Sequence, residues 1–405
     1  MQRSQINFLF LNVGHFLDHL FVLVFATVAA LRLTTEWGLS YAELIPYATP
    51  GFIAFGLFAI PAGWLADKWS RPAMMVVFFI GIGISGSLAG MANNPTQMAL
   101  ALTLVGMFAA IYHPVGLSMV VEGRTNTGIP LAVNGIFGNM GVAAAALLTG
   151  FLIDAVSWRS AYFVPGTISI LIGCAFLIFL RQGGKPTERE RSDSAPSSLP
   201  PIPRKMLLCI FGLVLFTTAI GGLIFQSTTF SLPKIFDERL TDIAGTATAI
   251  GWYAFLVFSV AAFAQLIVGY LVDRYSLRSV FAVVALSQAV LFAVMTHLSG
   301  LVSLLVAMAF MLVVFGQIPI NDVLIGRIAR SEWRSRAYAL RYIVSFSVSA
   351  SAVPLIAWIH GTSGFGTLFK ILAVAAFVIF VAVLFLPNQK ALDLLRSETH
   401  ATAAD

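Results

Sequence analysis

The residues best able to do chemistry in this chain stand where it is otherwise hydrocarbon. The stretch "NVGHFLDHLFVLVF" places His15, Asp18 and His19 inside the first apolar run. On a helix, positions three and four apart share a face, so His15 lies beside both Asp18 and His19 and the three form one polar patch near mid-span. An ionised group at the centre of a bilayer costs at least about 2.5–3.5 kcal/mol, so such a patch faces a bundle interior or a water-filled cavity. A carboxylate flanked by imidazoles also suits proton coupling, in which a proton binds on one side of a membrane and leaves on the other. These three are the proton-coupling candidates. The competing reading is a neutral, hydrogen-bonded knot that ties the first helix to its neighbours.

Other polar residues interrupt later apolar runs. His113 follows Tyr112 and precedes Pro114, which removes a backbone donor, so a kink is expected there. A histidine at a kink serves a ligand or a neighbouring polar group. Asn134 and Gln226 are uncharged candidates for substrate contact, or else for hydrogen bonds between helices. In the second half, "GQIPINDVLIGR" holds Gln317, Asn321 and Asp322, and Arg341 falls about one turn into the eleventh predicted helix. Asp322 and Arg341 are candidates for an intramembrane pair. Facing a cavity, Arg341 would attract an anionic substrate through bidentate contacts. Snorkelling, it would join Arg334 and Arg336 at the rim. The substrate-binding candidates are therefore His113, Tyr112, Asn134, Gln226, Asn321, Asp322 and Arg341.

The elements that must position these residues follow from composition. The chain has 405 residues, 59% of them hydrophobic and 10% charged, and its mean hydropathy is +0.90. Soluble chains carry roughly 25% charged residues, so this is a polytopic membrane protein. Spans need about 20 apolar residues each. Runs at 6–31, 42–65, 73–92, 97–121, 129–153 and 160–180 form one set of six. Runs at 206–231, 245–272, 279–297, 301–326, 338–358 and 365–386 form a second. The expected fold is all-α and integral to the membrane, with twelve helices in two pseudo-symmetric six-helix bundles. The bundles are 1–180 and 206–390, joined by a flexible linker at 181–205 rich in Pro, Ser and charge and followed by a tail at 391–405. The first run is too long for a signal-peptide core and is expected to remain as a spanning helix. With the N-terminus inside, inner segments hold 18 of the 24 basic residues, which places both termini in the cytoplasm. The net charge of +6 is then an orientation signal, and no nucleic-acid partner is needed to explain it. Cys174 and Cys209 lie in apolar runs and read as buried, inert thiols.

An internal repeat supports the two halves. "GWLADKWSR" at 63–71 is echoed by "GYLVDRYSLR" at 269–278, each between the second and third helix of its half. This element resembles the loop signature of the major facilitator superfamily, G-x-L-x-D-[RK]-x-G-R. The matching positions are Gly63, Leu65, Asp67, Lys68 and Arg71, then Gly269, Leu271, Asp273, Arg274 and Arg278, with Ser70 in place of the second glycine and the last arginine one residue late in the second half. The resemblance implies a conformational latch at these loops; a plain topology determinant is the alternative. "GHFLDH", "IYHPVGLSMVVEG" and "FGNMGVAAAALLTG" are similar to the fosmidomycin-resistance-type exporters, through His15, His113, Pro114, Gly138, Asn139 and Gly141. Asp18 and His19 replace the Asn and Asp of that pattern, Val115 its Glu, and Ala145 and Ala146 its Gly-Pro.

The twelve methionines invite a soft-metal reading, yet in an apolar chain they read as packing, and no tight ligand cluster appears outside the first helix. No Walker-type loop is present, so ATP-driven pumping is unsupported. The expectation is a secondary active transporter of the bacterial cytoplasmic (inner) membrane, without enzymatic activity, cofactor or resident metal. It would work as a monomer among membrane lipids, with a small-molecule substrate and protons as partners. Export of a small organic molecule follows from the family likeness; uptake of a small organic anion is the alternative favoured by Arg341 and the missing Gly-Pro.

Overall fold

Backbone groups crossing a bilayer must bond within their own segment, and the apolar runs accordingly fold as helices. The computed structural model describes residues 2–122, 124, 128–182, 204–328 and 331–386. The side chains of residues 128, 204–209, 322, 325–328, 331–340, 342 and 346 lie outside that description, as do the linker at 183–203 and the tail. The first half comprises α1 (Arg3–Trp37), α2 (Tyr41–Lys68), α3 (Arg71–Gly90), α4 (Pro95–Val121), α5 (Gly128–Ala155) and α6 (Ser160–Arg181). The second comprises α7 (Arg204–Arg239), α8 (Ala247–Arg274), α9 (Leu277–Met295), α10 (Gly300–Ile328) and the segment Ser331–Val383. Eleven helices among the described residues are long and apolar enough to cross a bilayer. Gly364, at φ 70° and ψ 177°, breaks the last of them into α11 (331–363) and α12 (365–383), which gives the expected twelve spans. No strand occurs among the described residues.

Polar caps at the breaks set several boundaries. Ser40 accepts from the Glu43 amide ahead of α2, Ser70 from Ala73 ahead of α3, and Asn94 from Gln97 ahead of α4. In the second half Thr246 and Ser276 cap α8 and α9 in the same way. Two helices contain a π turn, Ala29–Leu33 in α1 and Tyr112–Gly116 in α4. The second is the form taken by the irregularity expected at Pro114. Past its apolar stretch α7 continues to Arg239, with Lys234 pairing with Asp237 at 2.6 Å and Glu238 at 3.8 Å. Arg239 then donates to the carbonyls of Met295, Thr296 and Leu298.

Packing pairs α1 with α5, α2 with α4 and α3 with α6, and in the second half α8 with α10. The α11–α12 segment packs on α7 and α9, and the halves meet through α5 on α8 and α2 on the α11–α12 segment. At the end remote from the repeated basic loops, Asp154 accepts hydrogen bonds from the Thr248 amide at 2.7 Å and hydroxyl at 2.6 Å. The Tyr41 and His360 rings stand 5.2 Å apart at that end. At the opposite end of α5, Ile129 is 80% exposed.

The two loop repeats differ in their side-chain partners. Arg71 reaches Asp67 at 2.8 Å and Glu122 at 3.7 Å, and Gly63 sits against Pro114. In the second half Arg274 lies over the Tyr270 ring at 4.4 Å, and Arg278 donates to the Leu386 carbonyl at 3.3 Å. Lys68 ends α2, and Gly269 and Asp273 lie in the last turns of α8.

One expectation is corrected: Cys174 is exposed, on the outward face of α6. In a membrane helix an apolar neighbourhood does not distinguish lipid from core. Cys209 lies among the undescribed side chains.

The tightest backbone approach joins α2 and α4. A Cβ on Gly51 would lie 2.7 Å from the Leu102 carbonyl oxygen, and one on Gly106 would strike the carbonyl of Gly51. Small residues permit such contact where lipid gives no hydrophobic drive between helices. Gly106→Val should therefore destabilise the fold by about 1–3 kcal/mol or more. Thermal unfolding in detergent should show a lowered midpoint; an unchanged midpoint would refute the close contact.

Candidate functional site

Between the halves lies a cavity of about 340 Å³ whose wall draws on α1, α2, α4 and α5 on one side and α7, α8, α10 and α11 on the other. The α1 wall is built from one hydrogen bond outward. His15 Nδ1 lies 2.8 Å from the backbone oxygen of Asn134 in α5. A carbonyl only accepts, so Nδ1 carries the proton and the neutral ring turns a bare Nε2 toward His19. His19 Nε2 is 3.1 Å away and donates to it. Room for the imidazole comes from Gly138, where a Cβ would lie 2.6 Å from His15 Nε2.

Behind this pair Tyr112 stacks on His15 at 4.8 Å, with 20° between the rings. Its hydroxyl donates to the Leu11 carbonyl at 2.8 Å and accepts from Asn134 Nδ2 at 2.9 Å. The same Asn134 amide reaches Asn12 Oδ1 at 2.9 Å. Asp18 is fully buried within the protein, and its Oδ2 lies 3.4 Å from Nε2 of His113. The His113 ring stands edge-on to both other imidazoles, at 5.4 Å and 5.6 Å. The local pattern thus divides: His15 pairs with His19 one turn on, while Asp18 turns to the π turn of α4.

The opposite wall carries donors. Arg341 lines the cavity at 9% exposure, placing it in the wall and not at the rim. Gln317 accepts through Oε1 from Gln288 at 2.7 Å, which turns its Nε2 outward from that pair. Among the described residues neither Gln317 Nε2 nor Gln226 Nε2 has a hydrogen-bond partner, and both side chains line the cavity. Asn321 lines it too, 3.5 Å from the Thr217 hydroxyl. Phe52, Phe55 and Phe225 give the remainder of the wall an aromatic surface.

The cavity therefore gathers His15, Asp18, His19, His113, Gln226, Asn321 and Arg341 from distant parts of the sequence. Tyr112 and Asn134 take a different place from the expected one. Both have essentially no exposed surface, and their polar atoms are spent on Leu11, Asn12 and His15. They are positioning residues behind the wall. The side chain of Asp322 is outside the described residues, so its pairing with Arg341 is too. The loop residues Asp67, Lys68, Arg71, Asp273, Arg274 and Arg278 do not line the cavity. Sequence reading missed Asn12, Gln265 and Gln288 and named Asn139 only within the family pattern; a polar residue in an apolar run was the available signal, and each carries it.

A puromycin resistance protein of Streptomyces alboniger is 30% identical over 138 residues, 33% of this chain. A probable 4-methylmuconolactone transporter of Cupriavidus pinatubonensis is 29% identical over 178 residues, 40% of this chain. The chain spans 27% and 39% of the length of those two relatives. The crystal structure of a D-xylose-proton symporter superposes with a TM-score of 0.72 at 13% identity, covering 95% of this chain and 98% of that one, a likeness of fold. The family description Major Facilitator Superfamily matches residues 11–241 and 235–403. With its twelve spans in two halves, the chain is a multi-pass membrane protein and belongs to the Major Facilitator Superfamily.

Proposed function

We propose that this protein is a secondary transporter that carries a small organic anion through the central cavity, with a cation, most simply the proton, moving alongside it. The observation that carries this reading is Arg341 in the cavity wall, together with the two unpartnered amide donors of Gln226 and Gln317. A guanidinium and two amide N–H groups held in a low-dielectric site favour a carboxylate or another acceptor-rich group. The volume of about 340 Å³ is at the small end of ligand sites, and the phenylalanines accept an apolar or planar body. Across the cavity, Asp18 with His15, His19 and His113 supplies the cation side. Movement is rocking of the two halves about this site, with the loops at Asp67–Arg71 and Asp273–Arg278 acting as latches. Orientation follows from the basic residues: both termini and the repeated loops are cytoplasmic, in the inner membrane. The relatives point the same way in part, one being named for transport of a muconolactone.

A second reading concerns direction. The positions shared with fosmidomycin-resistance-type exporters include His15, His113 and Asn139, and all three line the cavity. They favour export, as does a relative named for puromycin resistance.

Two variants test the assignment in proteoliposomes with an imposed pH gradient and a panel of small carboxylates, phosphates and neutral analogues. Arg341→Gln should weaken anion binding at least about tenfold, the scale of a lost charge-assisted hydrogen bond, and neutral ligands much less. Equal losses for both classes would remove Arg341 from anion recognition. Asp18→Asn should abolish gradient-driven accumulation and leave substrate exchange across the membrane intact. Full accumulation by Asp18→Asn would remove it as the coupling acid.

A further inference from the structure

We infer that the first-half wall of the cavity is a binding site for a borderline divalent transition-metal cation of the Zn²⁺ type, held by His15, His19 and His113. The imidazoles come from two helices, and one donor nitrogen from each lies within 4.8 Å of the other two. His15 and His19 are one turn apart on α1, and their Nε2 atoms already stand 3.1 Å apart. Two nitrogens bound to one tetrahedral Zn²⁺ at about 2.0–2.1 Å are themselves about 3.3 Å apart, so their separation already suits an ion, which requires the proton of His19 Nε2 to move to Nδ1 and both lone pairs to turn to a common point. His113 is edge-on to both rings and part-buried, and it is the ligand that must swing inward.

Three further features of the cluster fit a metal better than a plain knot. The Nδ1–H of His15 is bonded to a backbone carbonyl, the outer arrangement that fixes the tautomer of metal-bound histidines and aims the bare Nε2 at the ion. Asp18 Oδ2, 3.4 Å from His113 Nε2, orients that ring as a carboxylate partner. Asp18 Oδ1 is buried and accepts no hydrogen bond among the described residues, which leaves a carboxyl oxygen available to a cation inside the membrane. The donor set is imidazole and carboxylate, with no thiolate or thioether among the lining residues, which selects Zn²⁺, Co²⁺ or Ni²⁺ over Cu(I). The sequence alone supplies two of the ligands; the third lies in a different helix, beyond the reach of spacing arguments.

The inference stands apart from the choice of anion and is tested without transport. Purified full-length, untagged protein in detergent is titrated with Zn²⁺ by calorimetry and by competition with a chromogenic chelator. One ion per chain is expected, and His19→Gln, His113→Gln and Asp18→Asn should each weaken it about 10–100-fold. His360→Gln, a histidine remote from the cavity, should leave it unchanged. Folding of each variant is checked by thermal unfolding. Co²⁺ added to the unaltered protein gives a readout independent of any variant: intense tetrahedral ligand-field absorption, removed by Zn²⁺. Absence of stoichiometric binding, affinity unmoved in folded cluster variants, or a weak octahedral Co²⁺ spectrum would each overturn the site.

Discussion

The cavity's first-half wall depends on a single hydrogen bond, from His15 Nδ1 to the backbone carbonyl of Asn134. Inside a membrane a polar side chain has no water to fall back on, so an imidazole on α1 must find its partner on a neighbouring helix. The carbonyl of a helical residue keeps a second lone pair free, and here it sits on the helix that packs most closely along α1. This bond sets the rotation of α1 against α5. It fixes which His15 nitrogen bears the proton and so turns the other toward His19. The Asn134 side chain, on the same residue, is then committed to Asn12 and Tyr112. Tyr112 in turn supports the imidazole face. A glycine at position 138 is required by the same arrangement, since the imidazole occupies the space a side chain would fill.

The wall is also shaped by how α4 reaches it. A regular helix through Tyr112, His113 and Pro114 would leave the proline ring against the preceding turn. The π turn relieves this by widening the backbone over Tyr112–Gly116. It delivers two neighbouring residues to opposite tasks: Tyr112 inward as a buried support, and His113 to Asp18 and the cavity. A local distortion thus joins a functional candidate to its scaffold.

These relations explain what the sequence discloses and what it withholds. Spans were legible because membrane crossing demands a length and a composition that few other elements share; the eleven helices and the break at Gly364 fall on the twelve apolar runs. The α7 extension was not, because its last turns carry Lys234 and its acidic neighbours past the apolar run. Within the site, contacts one turn apart were legible: His15 and His19 meet as helical spacing requires. The partner of Asp18 was not, because His113 arrives from a different helix. Nor was the burial of Tyr112 and Asn134, since helix rotation is decided by packing that a single apolar run does not encode. Uncharged donors such as Gln317 needed the fold as well, because only its bond to Gln288 shows which end of the amide turns to the cavity.

The two walls differ in the sign of what they attract, and they belong to different halves. Asp18 and the imidazoles sit on α1 and α4, and Arg341 with the free amides sits on α7, α10 and α11. In a low-dielectric cavity an anion taken up against Arg341 makes the interior more favourable for a cation at Asp18, and by reciprocity the cation strengthens the anion. Under the proposed function this coupling needs no direct contact between the two ligands. Under the same proposal the halves move against one another about the site, so each wall's charge is felt differently in the open and closed arrangements. A cavity loaded on one wall alone carries an uncompensated charge when it closes, and one loaded on both does not. Charge balance across the two halves therefore supplies a physical basis for moving both ligands together or neither.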